Sequence, residues 1–124
     1  MTKLKHPRVK GNRNRNKVIE YFRDRGFLVG IVERTGRFIK DKDLFGFGDI
    51  IAIGDTDKPM LVQVTSNTPH SARAYLKLSR DKRVKRGLDL VQVIVKDRSK
   101  FAQVIEYSDG HIRKDVICME NLKE

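Results

Sequence analysis

Two short apolar runs, Asp49-Ile50-Ile51-Ala52-Ile53 and Met60-Leu61-Val62-Gln63-Val64-Thr65, constrain this chain more than any other feature. Runs of this length, rich in β-branched residues, read as buried strands, and Gly54-Asp55-Thr56-Asp57-Lys58-Pro59 between them is turn chemistry. The pair is therefore expected to form a hairpin. Side chains alternate along a strand, which places Asp49 on one face at the opening of the first strand and Gln63 and Thr65 together on one face of its partner. Burying a carboxylate is costly unless it is paired or binds a cation, so this pattern implies a metal site or a hydrogen-bonded device inside the core.

The flanking sequence supplies the elements to cover such a hairpin. Val18, Ile19, Tyr21 and Phe22 form one helical stripe over about Asn14 to Arg25, stopped by Gly26. At 100° per residue, Asn14 and Arg15 project toward the packed side and Glu20 away from it. Residues 1–12 read as a basic flexible arm and 13–124 as one α/β domain. Phe27 to Glu33 is strand-like. The loop 34–43 then carries Arg34, Arg37, Lys40, Lys42 and Asp43 toward Phe45, Phe47 and Gly48. A single second helix is expected over about Ser71 to Arg86, packing Ala72, Tyr75, Leu76 and Ser79 while Arg73, Lys77 and Arg80 recur on a neighbouring face. Leu88 to Lys96 reads as a strand buried on both faces, and Phe101–Tyr107 with His111–Cys118 as a closing β-hairpin about Ser108-Asp109-Gly110. A mixed central sheet with helices on its faces follows.

Charge limits the partners. Residues 1–42 carry 13 basic against 4 acidic groups and 71–86 carry 7 against 1, whereas 43–70 carry 1 against 4 and 87–124 carry 6 against 7, for a net +11. Basic flanks around an acidic centre suit a polyanion lying across a cation site. The single cysteine, Cys118, excludes an intrachain disulfide and a cysteine-based zinc site and fits a reducing, cytoplasmic setting. No signal peptide is expected at the N-terminus, and no segment has the length and apolarity of a membrane span. A glycine-rich phosphate loop, a serine–histidine–acid pattern and an aromatic ladder for stacking single strands are all missing from the sequence.

Lys10-Gly11-Asn12-Arg13-Asn14-Arg15, the helix through Gly26-Phe27, Gly48-Asp49-Ile50-Ile51-Ala52 and Gln63-Val64-Thr65 together resemble the PD-(D/E)xK nuclease superfamily. Within it the likeness is to archaeal Holliday-junction resolvases and related phage proteins, and it covers roughly residues 10 to 96. The resemblance implies a restriction-endonuclease-like core, a two-fold homodimer, branched or duplex DNA as partner, and an intracellular location, in a host cell if the protein is viral. Asp49 matches the family's metal-binding aspartate. Gln63 stands where the second carboxylate usually sits, Thr65 where the lysine sits, and Arg15 near the place of the helix-borne glutamate. Glutamine keeps a carbonyl oxygen acceptable to a hard cation, whereas threonine cannot replace an ammonium.

The expected site is therefore Asp49, Gln63 and the carbonyl of Val64 about Mg²⁺ or Mn²⁺, with Asp43 as a further carboxylate. Arg13, Arg15, Arg34, Arg37, Lys40, Lys42, Arg73, Lys77 and Arg80 would contact nucleic acid. Lys42, Lys58 and Lys77 are candidates for the missing ammonium, and His70 for a general base or ligand. The first reading is a metal-dependent, structure-selective endodeoxyribonuclease. The alternatives are a catalytically lapsed DNA-binding protein on the same fold and a small basic RNA-binding protein.

Overall fold

The apolar stripe of the first helix is what fastens it. Val18, Ile19 and Phe22 are buried along helix α1 (Pro7–Asp24), which ends where Gly26 adopts φ +89° and bonds back to Arg23 O. The computed structural model describes residues 7–32, 45, 47–55, 58–67 and 72–119, with side chains from residue 13. Helix α1 starts ahead of its stripe. A proline in the first turn loses no intrahelical hydrogen bond, so the backbone of residues 7–12, expected in the arm, is helical.

Among the described residues, six strands hydrogen-bond in chain order: β1 (Leu28–Ile31), β2 (Ile50–Ile53), β3 (Met60–Ser66), β4 (Asp89–Val95), β5 (Phe101–Ser108) and β6 (His111–Cys118). All neighbours are antiparallel except β3 and β4, which run parallel. A parallel pair needs a crossover, and the chain supplies it with helices α2 (Ala72–Ser79) and α3 (Lys82–Gly87). The expected hairpins, Ile50–Ile53 with Met60–Ser66 and Phe101–Ser108 with His111–Cys118, both form. Asp109 and Gly110, at φ 51° and 80°, make the two-residue turn of the second.

Strand alternation then divides the core in two. Ile50, Ala52, Val62, Val91, Val93 and Val95 face α1 together with Val29 and Ala102. Leu61, Leu90, Ile94, Ile105 and Tyr107 face α2 and α3, where Phe47 is fully buried against Tyr75 at 4.5 Å and Tyr107 at 6.3 Å between ring centroids. Helices thus cover opposite faces, and β4 is buried on both.

The single helix expected over residues 71–86 is two helices. Ser79 Oγ donates to Leu76 O at 2.7 Å and accepts from Gly110 N at 2.8 Å, which satisfies it at the end of α2. Asp81 is then extended and caps α3 by accepting from Arg83 N at 2.9 Å. The Arg83 guanidinium, hydrogen-bonded to the same carboxylate, holds the Asp81 pKa well below the carboxylate range. The packed residues Tyr75 and Ser79 are buried as their spacing implies.

Gly48 sets how closely the approach to β2 can lie over β3. A Cβ there would overlap the fully buried side chain of Leu61. Gly48→Ala is expected to cost about 1–3 kcal/mol, read as a lower urea midpoint. In a double-mutant cycle with Leu61→Ala the two costs should not add. Additive costs would mean that Gly48 and Leu61 do not press on one another.

Candidate functional site

The parallel pair β3/β4 defines the end of the sheet where the candidate residues lie. Both strands finish there, β2 begins there because it runs antiparallel to β3, and β5 begins there through Val95↔Ala102. Asp49 stands one residue before β2. Its carbonyl accepts from Val32 N at 3.0 Å and its N–H donates to Val62 O at 3.0 Å, so the main chain is held from both sides. Ile50 is also paired with Val62. Two residues therefore oppose one, the arrangement of a β-bulge, which re-aims a side chain at a strand end. Asp49 itself is only 9% exposed.

A notch results. The β2–β3 register stops at Ile50↔Val62, while β3 continues beside β4 to Ser66↔Val95. Main-chain groups alternate sides along a strand, and Val62 O points toward β2. Two residues on, the carbonyl of Val64 turns the same way, where β2 has ended and Asp49 stands.

Gln63 and Thr65 share the α2-side face with Leu61, and each is 6% exposed. Gln63 Oε1 and Thr65 Oγ1 are buried and make no hydrogen bond among the described residues. Gln92, fully buried, lies directly across from Gln63. Its Oε1 accepts from Tyr107 OH over a long 3.4 Å, and its Nε2 is likewise without a partner among the described residues. Burial raises the Tyr107 pKa, helped by neighbouring Tyr75, which keeps the phenol protonated as a donor. Unsatisfied buried polar atoms cost roughly 1–3 kcal/mol each. A set of such atoms on one face marks a candidate site.

The donors fit a hard cation. Asp49 brings a carboxylate, Gln63 an amide oxygen and Val64 a main-chain carbonyl, all of the type Mg²⁺ and Mn²⁺ accept. Mg²⁺ in particular keeps several waters and takes only one or two carboxylates. Among the described residues no group of three or more His, Cys, Asp or Glu side chains could hold a metal, so a nitrogen- or sulfur-rich centre is not formed by them.

The remaining candidates separate. Arg34, Arg37, Lys40, Lys42, Asp43 and His70 lie outside the described residues. Lys58 is at the far end of the sheet, bonded to Lys85 O and 3.6 Å from Asp89, which removes it as a substitute for the missing ammonium. Arg73 and Lys77 are exposed one turn apart on α2. Arg80 follows the helix, with its guanidinium against Gly110 in the β5–β6 turn. Arg13 is exposed on α1, and Arg15 is half-buried with its Nε enclosed. Asn14 faces the sheet as its spacing implies and donates to Ser66 Oγ at 2.7 Å, tying α1 to the end of β3. Glu20, expected in solvent, is instead half-buried beside the β4–β5 turn.

Two features escaped the sequence reading. Gln92 is a polar residue inside Leu90-Val91-Gln92-Val93, the same signal that marks Gln63. Asn67, at φ 67°, donates to Asp97 Oδ2 at 3.1 Å and accepts from Asp97 N at 2.9 Å, which locks the ends of β3 and β4 together. An asparagine just past a strand carries no sequence mark of that role.

The fold is similar to that of Hjc, a Holliday junction resolvase from the archaeal hyperthermophile Archaeoglobus fulgidus, with a TM-score of 0.53, 13% sequence identity and 90% of each chain covered. The mixed sheet with flanking helices is thus the restriction-endonuclease-like fold of that resolvase. No protein-family model matches this chain, and no curated protein matches its sequence.

If Gln63 and Thr65 serve a site at the expense of the core, apolar replacements of similar shape should not harm stability. Thr65→Val and Gln63→Met are each expected to leave the urea midpoint unchanged or raise it, by up to about 1 kcal/mol. A loss above roughly 2 kcal/mol would show that these polar atoms are satisfied inside the core.

Proposed function

We propose that the protein binds branched or duplex DNA through its phosphodiester backbone and hydrolyses it as a structure-selective endonuclease dependent on Mg²⁺ or Mn²⁺. The observation that supports this reading is the early end of the β2–β3 register at Ile50↔Val62 on a fold like that of a resolvase, with Gln63 Oε1 buried and without a hydrogen bond among the described residues. Asp49, Gln63 and Val64 would hold the cation, with Asp43 as a further carboxylate from the preceding sequence. A bound divalent ion supplies polarisation of the scissile phosphate and a more acidic water. The chain's own residues do the rest. Lys77 and Arg73 on α2, with Arg13 and Arg15 on α1 and the cations of residues 34–42, position the backbone and offset its charge. Like other junction-resolving proteins of two-fold symmetry, the active species would be a homodimer.

One observation favours a second reading, a DNA-binding protein on this fold without chemistry. Thr65 is neutral and buried where the resemblance calls for an ammonium, and Lys58 is engaged elsewhere. Lys42 and Lys77 are the remaining candidates to stand in.

Incubation of supercoiled, single-stranded and four-way-junction DNA with Mg²⁺ or Mn²⁺ separates the readings. Metal-dependent scission of the junction, absent in Asp49→Ala, is the expected result; junction binding without scission in either metal would leave the binding reading. Binding of duplex RNA in preference to both DNA forms would overturn the two together.

Two metal titrations sharpen the assignment. Asp49→Ala should lose Mn²⁺ binding in calorimetry while its circular dichroism is unchanged. Gln63→Glu should tighten Mg²⁺ binding, since the cation gains a full charge at nearly constant shape. Weaker affinity combined with a lower urea midpoint would remove Gln63 from the ligand set, because a buried carboxylate left unpaired costs stability instead.

A further inference from the structure

We propose that the groove between α1 and the β4–β5 turn is a second track for phosphodiester backbone, holding a different arm of a branched DNA from the arm held at α2. The inference rests on the DNA-binding reading above and deepens it.

Arg13, Asn16, Lys17 and Glu20 recur at i, i+3, i+4 and i+7, which makes them one stripe of α1 beside the buried Asn14, Val18 and Phe22. Opposite them stand Ser99 and Lys100 of the β4–β5 turn, and Val95 and Met119 complete the wall of a groove of about 450 Å³. Arg13 and Lys17 are exposed and form no ion pair among the described residues. Lys96 and Arg98, also exposed, belong to the same turn. That turn is braced at both ends: Asp97 is locked to Asn67, and Ser99 Oγ accepts from Phe101 N at 3.0 Å. Cations held on a helix and a braced turn around an apolar floor match a nucleic-acid backbone, with phosphates on the rim and sugars against the floor.

Placement decides which nucleic acid. The α1 groove opens on one face of the sheet, the exposed Arg73 and Lys77 lie on the helix covering the opposite face, and the notch at Asp49 is at the sheet end common to β3 and β4. Cations on opposite faces of a slab point away from each other. A straight duplex following one track turns away from the second, whereas two arms diverging from a branch can follow both.

The test is fluorescence anisotropy, in EDTA so that nothing is cleaved, on a four-way junction and on a linear duplex of the same sequence. The paired change Lys17→Gln with Lys100→Gln is expected to weaken junction binding about tenfold, to change duplex binding by less than about twofold, and to flatten the junction's salt slope by about two. Lys77→Gln should weaken both substrates. Glu20→Gln, which removes the one carboxylate lining the groove, should tighten junction binding about twofold to threefold. Equal losses on both substrates from the paired change would contradict the proposal in favour of one duplex spanning both tracks, and so would no loss on either. If the unaltered protein binds neither DNA, the DNA-binding reading fails and takes the groove with it. If it binds and only Lys77→Gln weakens it, the groove alone is wrong.

Discussion

The offset between β2 and β3 is the constraint on which the candidate site depends. Among the described residues, the β2–β3 register ends at Ile50↔Val62, two residues short of Val64. The chain enters through Phe47, Gly48 and Asp49, each with a different restraint. Phe47 is anchored among Tyr75 and Tyr107, Gly48 passes where no side chain fits above Leu61, and Asp49 is clamped by Val32 and Val62. Asp49 is thereby held beside β3 by hydrogen bonds of its own backbone.

The two faces of the sheet differ in how they are filled. The α1 side of the sheet is apolar from Val18 through Val62 to Val95, and its buried Asn14 is hydrogen-bonded to Ser66. The α2 side interrupts its apolar surface with Gln63, Thr65 and Gln92. The second face is compensated by its aromatic set, in which Tyr75 and Tyr107 pack edge-on at 5.5 Å and Tyr107 reaches Gln92. The polar residues thus lie beside the part of the core best able to carry them.

Much of the fold was legible because each element repeats its own period. The two hairpins, the doubly buried β4 and the packed stripes of both helices follow from apolar spacing, and the turn at Asp109-Gly110 from its residue types. The break between α2 and α3 was less visible, since Ser79-Arg80-Asp81 interrupts the helix through a cap whose effect depends on Ser79 meeting Gly110 from the other end of the chain. At the site, Asp49, Gln63 and Thr65 stood out as polar letters in apolar strands. The bulge at Asp49, the lock between Asn67 and Asp97, and the approach of the β4–β5 turn to α1 did not, because they arise from register and from contacts between distant segments. Charge marked a basic surplus but not its geometry: the cations of α1 and α2 read as one until the sheet separates them.

The central claim, that the notch at the end of β3 holds a divalent cation, is tested most directly by adding substoichiometric Mn²⁺ to ¹⁵N-labelled protein and following paramagnetic broadening of its amide signals. The account predicts that Asp49, Ile50, Val64 and Thr65 broaden first, and that excess Mg²⁺ restores them. Broadening centred instead on the acidic residues of the far hairpin, Asp109 and Asp115, with the notch signals unchanged, would contradict it.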